Sequence, residues 1–78
     1  MTPDRMSTEM LHLLRCAEAL GKLEAWLRAH PMDDADVGID RKTSGDPMEV
    51  RCELDGHYGW SSDLPSAILA AVEKAGGA

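Results

Sequence analysis

Aromatic residues and cysteines are scarce in this chain, which has no phenylalanine, two tryptophans, one tyrosine and two cysteines among 78 residues. So few cysteines exclude a disulfide-dense secreted scaffold. One bridge between Cys16 and Cys52 is arithmetically possible, but we expect two reduced thiols that pack as small apolar groups. No apolar run approaches the roughly 20 residues that span a bilayer, and residues 1–9 lack the apolar segment of a signal peptide. These absences predict a cytoplasmic protein without a membrane segment.

Basic residues are also few, with eight Lys and Arg against 14 Asp and Glu and a net charge of −6. This balance argues against direct binding to nucleic acid or to an anionic membrane, because both require cationic side chains. The whole excess of negative charge falls between Asp33 and Asp63, a segment that contains nine acidic and three basic residues. Acidic loops can simply maintain solubility, or a surface of one sign can steer a basic protein partner. The candidate partner-binding acids are Asp33, Asp34, Asp36, Asp40, Glu49, Glu53 and Asp55.

Hydrophobic periodicity predicts a single α+β domain over residues 1–78, since so short a chain can build one modest core. A long helix is expected from Pro3 to Ala29, with Thr2 or Ser7 as its cap and Pro31 as its stop. Its predicted buried stripe is Met6, Met10, Leu13, Cys16, Ala17, Leu20, Leu23 and Leu27. Strands are predicted over residues 37–42, 48–54 and 57–61, followed by a helix over residues 64–75 that Ser62 or Asp63 caps. The buried face of that second helix is predicted to be Leu64, Ala67, Ile68, Ala71, Val72 and Ala75. The expected order is α-β-β-β-α, with two or three antiparallel strands and both helices on one face of the sheet.

The register of the last hairpin decides where two of the aromatic side chains point. A two-residue Asp55-Gly56 turn places Tyr58 and Trp60 on the face opposite the core, where they would form an aromatic recognition patch. A three-residue loop with a glycine bulge places both rings inside. We favour the bulge, because a small core gains most from burying two rings.

Leu11 and Trp26 fall away from the predicted stripe of the first helix. Tryptophan is a common interface anchor, so this pair suggests a homodimer or a docked partner. Alternatively, Trp26 covers a neighbouring loop such as residues 32–37.

Catalytic and metal-binding patterns have little support in this sequence. His12, Cys16, Cys52 and His57 form a conceivable zinc set, but no CxxC or HxxxH pair exists and the favoured register separates Cys52 from His57. The acidic segment at residues 33–40 lacks the ligand spacing of a calcium loop. No nucleophile elbow, phosphate loop or dinucleotide fingerprint is present. We therefore predict a non-enzymatic protein with no metal and no cofactor.

The segment VRCELDGHYGWSSDLPSAILAAVEKA at residues 50–75 resembles the strand–turn–strand–helix unit of many short phage and mobile-element proteins. With its small size and acidic surplus, the whole chain resembles anti-CRISPR and related host-takeover inhibitors. That resemblance implies stoichiometric binding to a host protein, in several cases at a surface that handles nucleic acid. It assigns no role to any particular residue here.

Overall fold

The structure, a computed structural model, describes residues 7–76 and contains two helices and three strands. In chain order these are α1 (Thr8–Ala29), β1 (Ala35–Asp40), β2 (Glu49–Leu54), β3 (His57–Ser61) and α2 (Leu64–Lys74). The strands form one antiparallel sheet in the order β1-β2-β3. The predicted α+β class and element order are therefore confirmed. Within residues 7–76, neither helix combines the length and apolarity that a bilayer crossing requires.

Local capping explains where α1 begins and ends. Ser7 has an extended backbone, and its side chain accepts a hydrogen bond from the amide of Met10 at 3.1 Å, which satisfies one free amide of the first turn. At the other end the His30 amide bonds to the carbonyls of Trp26 and Leu27, and Pro31 follows. Ser7 is thus the cap, which confirms one of the two alternatives that the sequence predicted. The predicted start at Thr2 and Pro3 lies outside the described residues, as does Met6 of the predicted stripe.

The second helix follows its predicted pattern closely. Asp63 caps α2 by accepting a hydrogen bond from the Ser66 amide at 2.9 Å, and Pro65 occupies the first turn, where no amide donor is needed. Burial of its apolar face matches the prediction, with Ala67, Ile68, Ala71 and Val72 buried and Leu64 and Ala75 partly buried. This face packs against β2 and β3, while α1 packs against α2.

Gly59 allows α2 to lie unusually close to the sheet. A Cβ atom at this position would overlap the carbonyl oxygen of Ala67 and lie 2.5 Å from the amide nitrogen of Ala71. Any larger side chain would therefore push the helix away from β3. The core of the domain is built around this contact and joins residues of both helices and the inner face of β2: Ala19, Trp26, Cys52, Leu54, Ala67, Ile68, Ala71 and Val72.

The predicted hairpin register is wrong. Leu54 pairs directly with His57 across a two-residue turn, and both Asp55 and Gly56 adopt positive φ angles, 50° and 80°. Such angles are those of the type I′ turn that suits the twist of a hairpin. The close approach of α2 requires glycine on the inner face of β3, so Tyr58 and Trp60 alternate to the outer face. The close backbone contact between α2 and β3 therefore outweighs the gain that burying both rings would bring.

The predicted stripe of α1 is only partly right, because Leu23 and Leu27 pack against the core but most of its other described members are exposed. The buried residues of α1 are Ala19 and Trp26, with Leu23 and Leu27 partly buried, whereas Leu13 is 67% exposed. At about 100° per residue, the centre of this packed face is turned by roughly 85° from that of the predicted stripe. The physical reason is shape, because the facing side of α2 is rich in alanine. The small side chain of Ala19 permits α1 to approach α2 closely, and the indole ring of Trp26 fills the remaining space between the helices.

Candidate interaction surface on the outer face of the sheet

Seven side chains project from the sheet on the side away from α2, and together they define the outer sheet face. Strand alternation produces this set, because Cys52 and Leu54 on β2 are buried on the inner side. The pairing register then aligns the three strands. The outer sheet face comprises Asp36 and Asp40 of β1, Glu49, Arg51 and Glu53 of β2, and Tyr58 and Trp60 of β3.

Arg51 lies at the centre of the outer sheet face and contacts three carboxylates. Its guanidinium donates a hydrogen bond to Asp36 at 3.1 Å and lies 3.6 Å from Glu53 and 3.8 Å from Asp40. The residue opposite Arg51 on β1 is Gly38, where a Cβ would lie 3.2 Å from a terminal guanidinium nitrogen. Glycine at this position therefore leaves room for the arginine to lie across β1.

The ion pairs of Arg51 favour its charged form, and the side chain is largely covered by its neighbours. The hydrogen bond to Asp36 is the main cause that raises the pKa of the Arg51 guanidinium, with smaller contributions from the charges of Asp40 and Glu53 and an opposing effect of desolvation. The side chain is 19% exposed, and its buried Nε atom has no hydrogen-bond partner among the described residues. Four carboxylates against one guanidinium leave this face with a net charge of −3.

An aromatic pair borders the acidic cluster on β3. The rings of Tyr58 and Trp60 are stacked with centroids 6.4 Å apart, and Tyr58 is 42% exposed. The ammonium group of Lys42 lies 5.9 Å from the Trp60 ring, within the range of a cation–π contact. Rings and charges together line an open depression of about 430 Å³, formed by Asp40, Arg41, Lys42, Arg51, Tyr58 and Trp60. Its open shape suits a side chain or loop of a partner rather than an enclosed substrate.

The loop between β1 and β2 supports one end of this depression. Asp46 accepts hydrogen bonds from the hydroxyl and amide of Thr43 at 2.6 and 3.2 Å. Arg41 donates to the carbonyl of Asp46 at 3.3 Å. Gly45 has a φ of 95°, a conformation that glycine adopts without strain. These local contacts order the loop that carries Lys42 towards Trp60.

The structure brings together some of the predicted site residues and separates others. Asp36, Asp40, Glu49 and Glu53 share the outer sheet face with Tyr58 and Trp60. The remaining predicted acids lie off the strands, Asp33 and Asp34 in the connector after α1 and Asp55 in the β2–β3 turn.

Leu11 and Trp26, the two residues of α1 predicted to contact a partner or a second copy, differ in their exposure. Leu11 is half exposed, but Trp26 is 3% exposed and belongs to the core. Its ring stacks on His30 with centroids 4.3 Å apart. The interpretation of Trp26 as an exposed interface anchor is therefore wrong, because α1 turns this ring towards α2.

Sequence reasoning missed the roles of Arg51, Gly38 and Lys42. The available signal was the alternation of Glu49, Arg51 and Glu53, which predicts a shared face for these three. Their partners on β1 depended on a register that the sequence did not specify.

The residues considered for zinc do not form a metal site. His12 Nε2 and Cys16 Sγ lie 3.6 Å apart on α1. Cys52 is buried on the inner sheet face, and that burial raises the pKa of its thiol. Across residues 7–76, no three or more His, Cys, Asp or Glu side chains are arranged to hold a metal ion.

No family model, curated protein or solved structure matches this chain.

Proposed function

We propose that this is a non-enzymatic binding protein that presents its outer sheet face to a basic surface of a protein partner. The observation that carries the proposal is the cluster of three carboxylates around Arg51, beside the exposed Tyr58 and the half-buried Trp60. In this proposal the protein acts in the cytoplasm as a stoichiometric inhibitor or adaptor. The partner is a protein that handles nucleic acid, because such proteins carry basic surfaces that accept arrays of negative charge.

The geometry of the sheet supports this kind of recognition. Alternate residues of a strand lie roughly 6.6 Å apart and neighbouring strands about 4.8 Å apart, so the carboxylates form a regular array on a stiff support. The contacts to Arg51 keep Asp36 and Glu53 ordered before a partner arrives, which reduces the side-chain entropy lost on binding. Tyrosine and tryptophan are frequent interface anchors. The outer sheet face thus combines electrostatic steering with a contact area for close packing.

The test compares two pairs of variants with the same change in charge. Asp40→Asn with Glu49→Gln removes two charges from the outer sheet face. Glu18→Gln with Glu73→Gln removes two charges from the helices, at exposed positions. Partners are captured from an extract of the source cells with the wild-type protein, purified, and titrated with each variant. Melting temperatures of all three proteins establish that the folds are equally stable.

We expect the sheet pair to raise the dissociation constant at least about tenfold and the helix pair to change it less than about twofold. The association rate should fall steeply as salt rises past about 0.15 M, where the Debye length is about 8 Å. The partner's own nucleic acid should compete with the protein. A purified partner that binds both variants equally well, without dependence on salt, would disprove the proposal.

A further inference from the structure

The side of α1 that faces away from α2 carries an apolar surface that the described part of the chain, residues 7–76, does not cover. Met10, Leu13, Leu14 and Leu20 are each half or more exposed, and we call this surface the free face of α1. Together these side chains present on the order of 400–500 Å² of apolar area, comparable to the largest patch of a typical monomer.

The free face has the spacing of a coiled-coil seam. Met10, Leu13, Ala17, Leu20, Glu24 and Leu27 follow one another at alternating intervals of three and four residues. Leucine recurs every seventh residue at positions 13, 20 and 27. Such a repeat keeps one side of a helix facing a partner helix along its whole length. The contact with the core is centred on a different side, at Ala19 and Trp26, and Leu27 lies at the border between the two sides.

A depression on α1 has the form of the hole in knobs-into-holes packing. It measures about 440 Å³ and is lined by Leu20, Leu23, Glu24, Leu27 and Arg28. The first four of these residues stand at i, i+3, i+4 and i+7, the four positions that surround a knob from a facing helix. Glu24 is paired with Arg28 at 3.1 Å, so the charge at the edge of the depression is compensated.

We propose that a second copy of this chain covers the free face, with the two α1 helices antiparallel about a twofold axis. Full overlap of two Thr8–Ala29 helices places residue 13 of one copy level with residue 24 of the other. Leu13, the most exposed leucine at 67%, then enters the depression between Leu20 and Leu27 of the second copy. The twofold axis repeats this contact, so each copy supplies one knob and one hole, as an isologous interface requires.

The distribution of charge favours a second copy over a charged partner at this face. Three acids and three bases make α1 neutral, so two such helices do not repel each other. Antiparallel pairing also sets opposite ends of the two helix dipoles side by side. The acidic excess lies between Asp33 and Asp63, outside α1, whereas dimerisation through the sheet would bring two acidic clusters together.

The area predicts a weak dimer. Two free faces bury roughly 800–1,000 Å² in total, at or just below the lower limit for a biological interface, so we expect association only at micromolar or higher concentrations. This interface is independent of the outer sheet face, so either proposal can fail while the other stands.

The oligomeric state is tested by sedimentation of the whole chain from about 1 to 500 μM. We expect a concentration-dependent monomer–dimer equilibrium. Leu13→Glu should raise the dissociation constant by at least about 100-fold, because each dimer would bury two unpaired carboxylates. Its melting temperature at low concentration should stay unchanged, since Leu13 makes few contacts within its own chain. Leu11→Glu is the control, because Leu11 is equally apolar and half exposed but lies on the other flank of α1. It should leave the equilibrium intact.

Cysteine cross-linking tests the orientation of the helices in a Cys16→Ser background. An equimolar mixture of Leu13→Cys and Glu24→Cys chains should form the mixed disulfide in preference to either symmetric one. A wild-type chain that remains monomeric at 500 μM, or a Leu13→Glu variant that dimerises as strongly as wild type, overturns the proposal. Symmetric disulfides at position 13 without the mixed product would overturn the antiparallel arrangement.

Discussion

Trp26 illustrates how one residue decides the orientation of a whole helix. Its ring is buried in the core, while its indole Nε1 has no hydrogen-bond partner among the described residues. The side chain therefore contributes through its volume and apolar area, and its polar atom contributes nothing favourable. A tryptophan whose donor is unused can be replaced by an apolar ring at moderate cost.

We expect Trp26→Ala to lower the free energy of unfolding by about 3–5 kcal/mol and Trp26→Phe by about 1–2 kcal/mol. The alanine variant leaves a cavity, whereas phenylalanine refills most of it and removes the unsatisfied donor. Leu11→Ala, at an exposed position on the same helix, should change stability by less than about 0.5 kcal/mol. Urea denaturation monitored by circular dichroism measures all three. Equal losses for Phe and Ala would show that the indole nitrogen makes a contact of its own.

Asp63 stabilises the domain through its charge as well as its position. Hydrogen bonds from the amide and hydroxyl of Ser66 are the main causes that lower the pKa of the Asp63 carboxyl, with a smaller effect of Arg15 at 3.7 Å. A lowered pKa means that the folded chain binds the proton less tightly than the unfolded chain does. The stabilisation is therefore complete above the ordinary value of 3.8 and is lost as the pH falls through the lowered value.

Removing this carboxylate should reduce both stability and its dependence on pH. We expect Asp63→Ala to cost about 0.5–2 kcal/mol at pH 7 and to flatten the loss of stability below about pH 4. Asp63→Ser should retain most of the capping at neutral pH. Asp34→Ala is the control, because it removes the same charge from an exposed connector. Thermal unfolding between pH 2.5 and 7 provides the comparison, and identical pH profiles for the Asp63 and Asp34 variants would refute this role.

At the scale of the elements, the contact between α2 and β3 organises the fold. It requires a strand residue without a side chain at Gly59, and the same residue fits the hairpin register that places Tyr58 and Trp60 on the outer sheet face. Packing and the candidate site are therefore coupled through a single position. Arg15 adds a polar contact between the helices, since it donates a 2.6 Å hydrogen bond to the hydroxyl of Ser66.

Gly59→Ala should cost at least about 3 kcal/mol, because the added Cβ meets backbone atoms of α2 that cannot move separately. Gly21→Ala is the matched control. A Cβ there meets nothing within 4 Å, and alanine favours the helix by up to about 1 kcal/mol. Chemical denaturation at low protein concentration should therefore give opposite signs for the two substitutions. A Gly59→Ala protein as stable as wild type would mean that α2 does not lie this close to the sheet.

At the scale of the whole molecule, charge and apolar surface lie on different elements. The strands and connectors between Asp33 and Asp63 carry the entire net charge of −6, whereas α1 is neutral and exposes leucines. The extents of 45 × 36 × 15 Å describe a thin molecule in which few residues can be covered on all sides. This shape explains why so much apolar surface remains exposed on α1, and also on β1, where Val37 and Ile39 are exposed.

The sequence by itself determined the order of the elements, the buried face of α2 and the location of the acidic residues, and it narrowed each helix cap to two candidates. All of these depend on neighbours within a few positions, through hydrogen bonds at helix ends and through the periods of helix and strand. Only the tertiary structure decided which side of α1 is buried, which register the hairpin adopts and how Arg51 meets three carboxylates. Each of these depends on contacts between distant segments, such as Ala67 over Gly59 or Gly38 beside Arg51, whose distances no local pattern specifies.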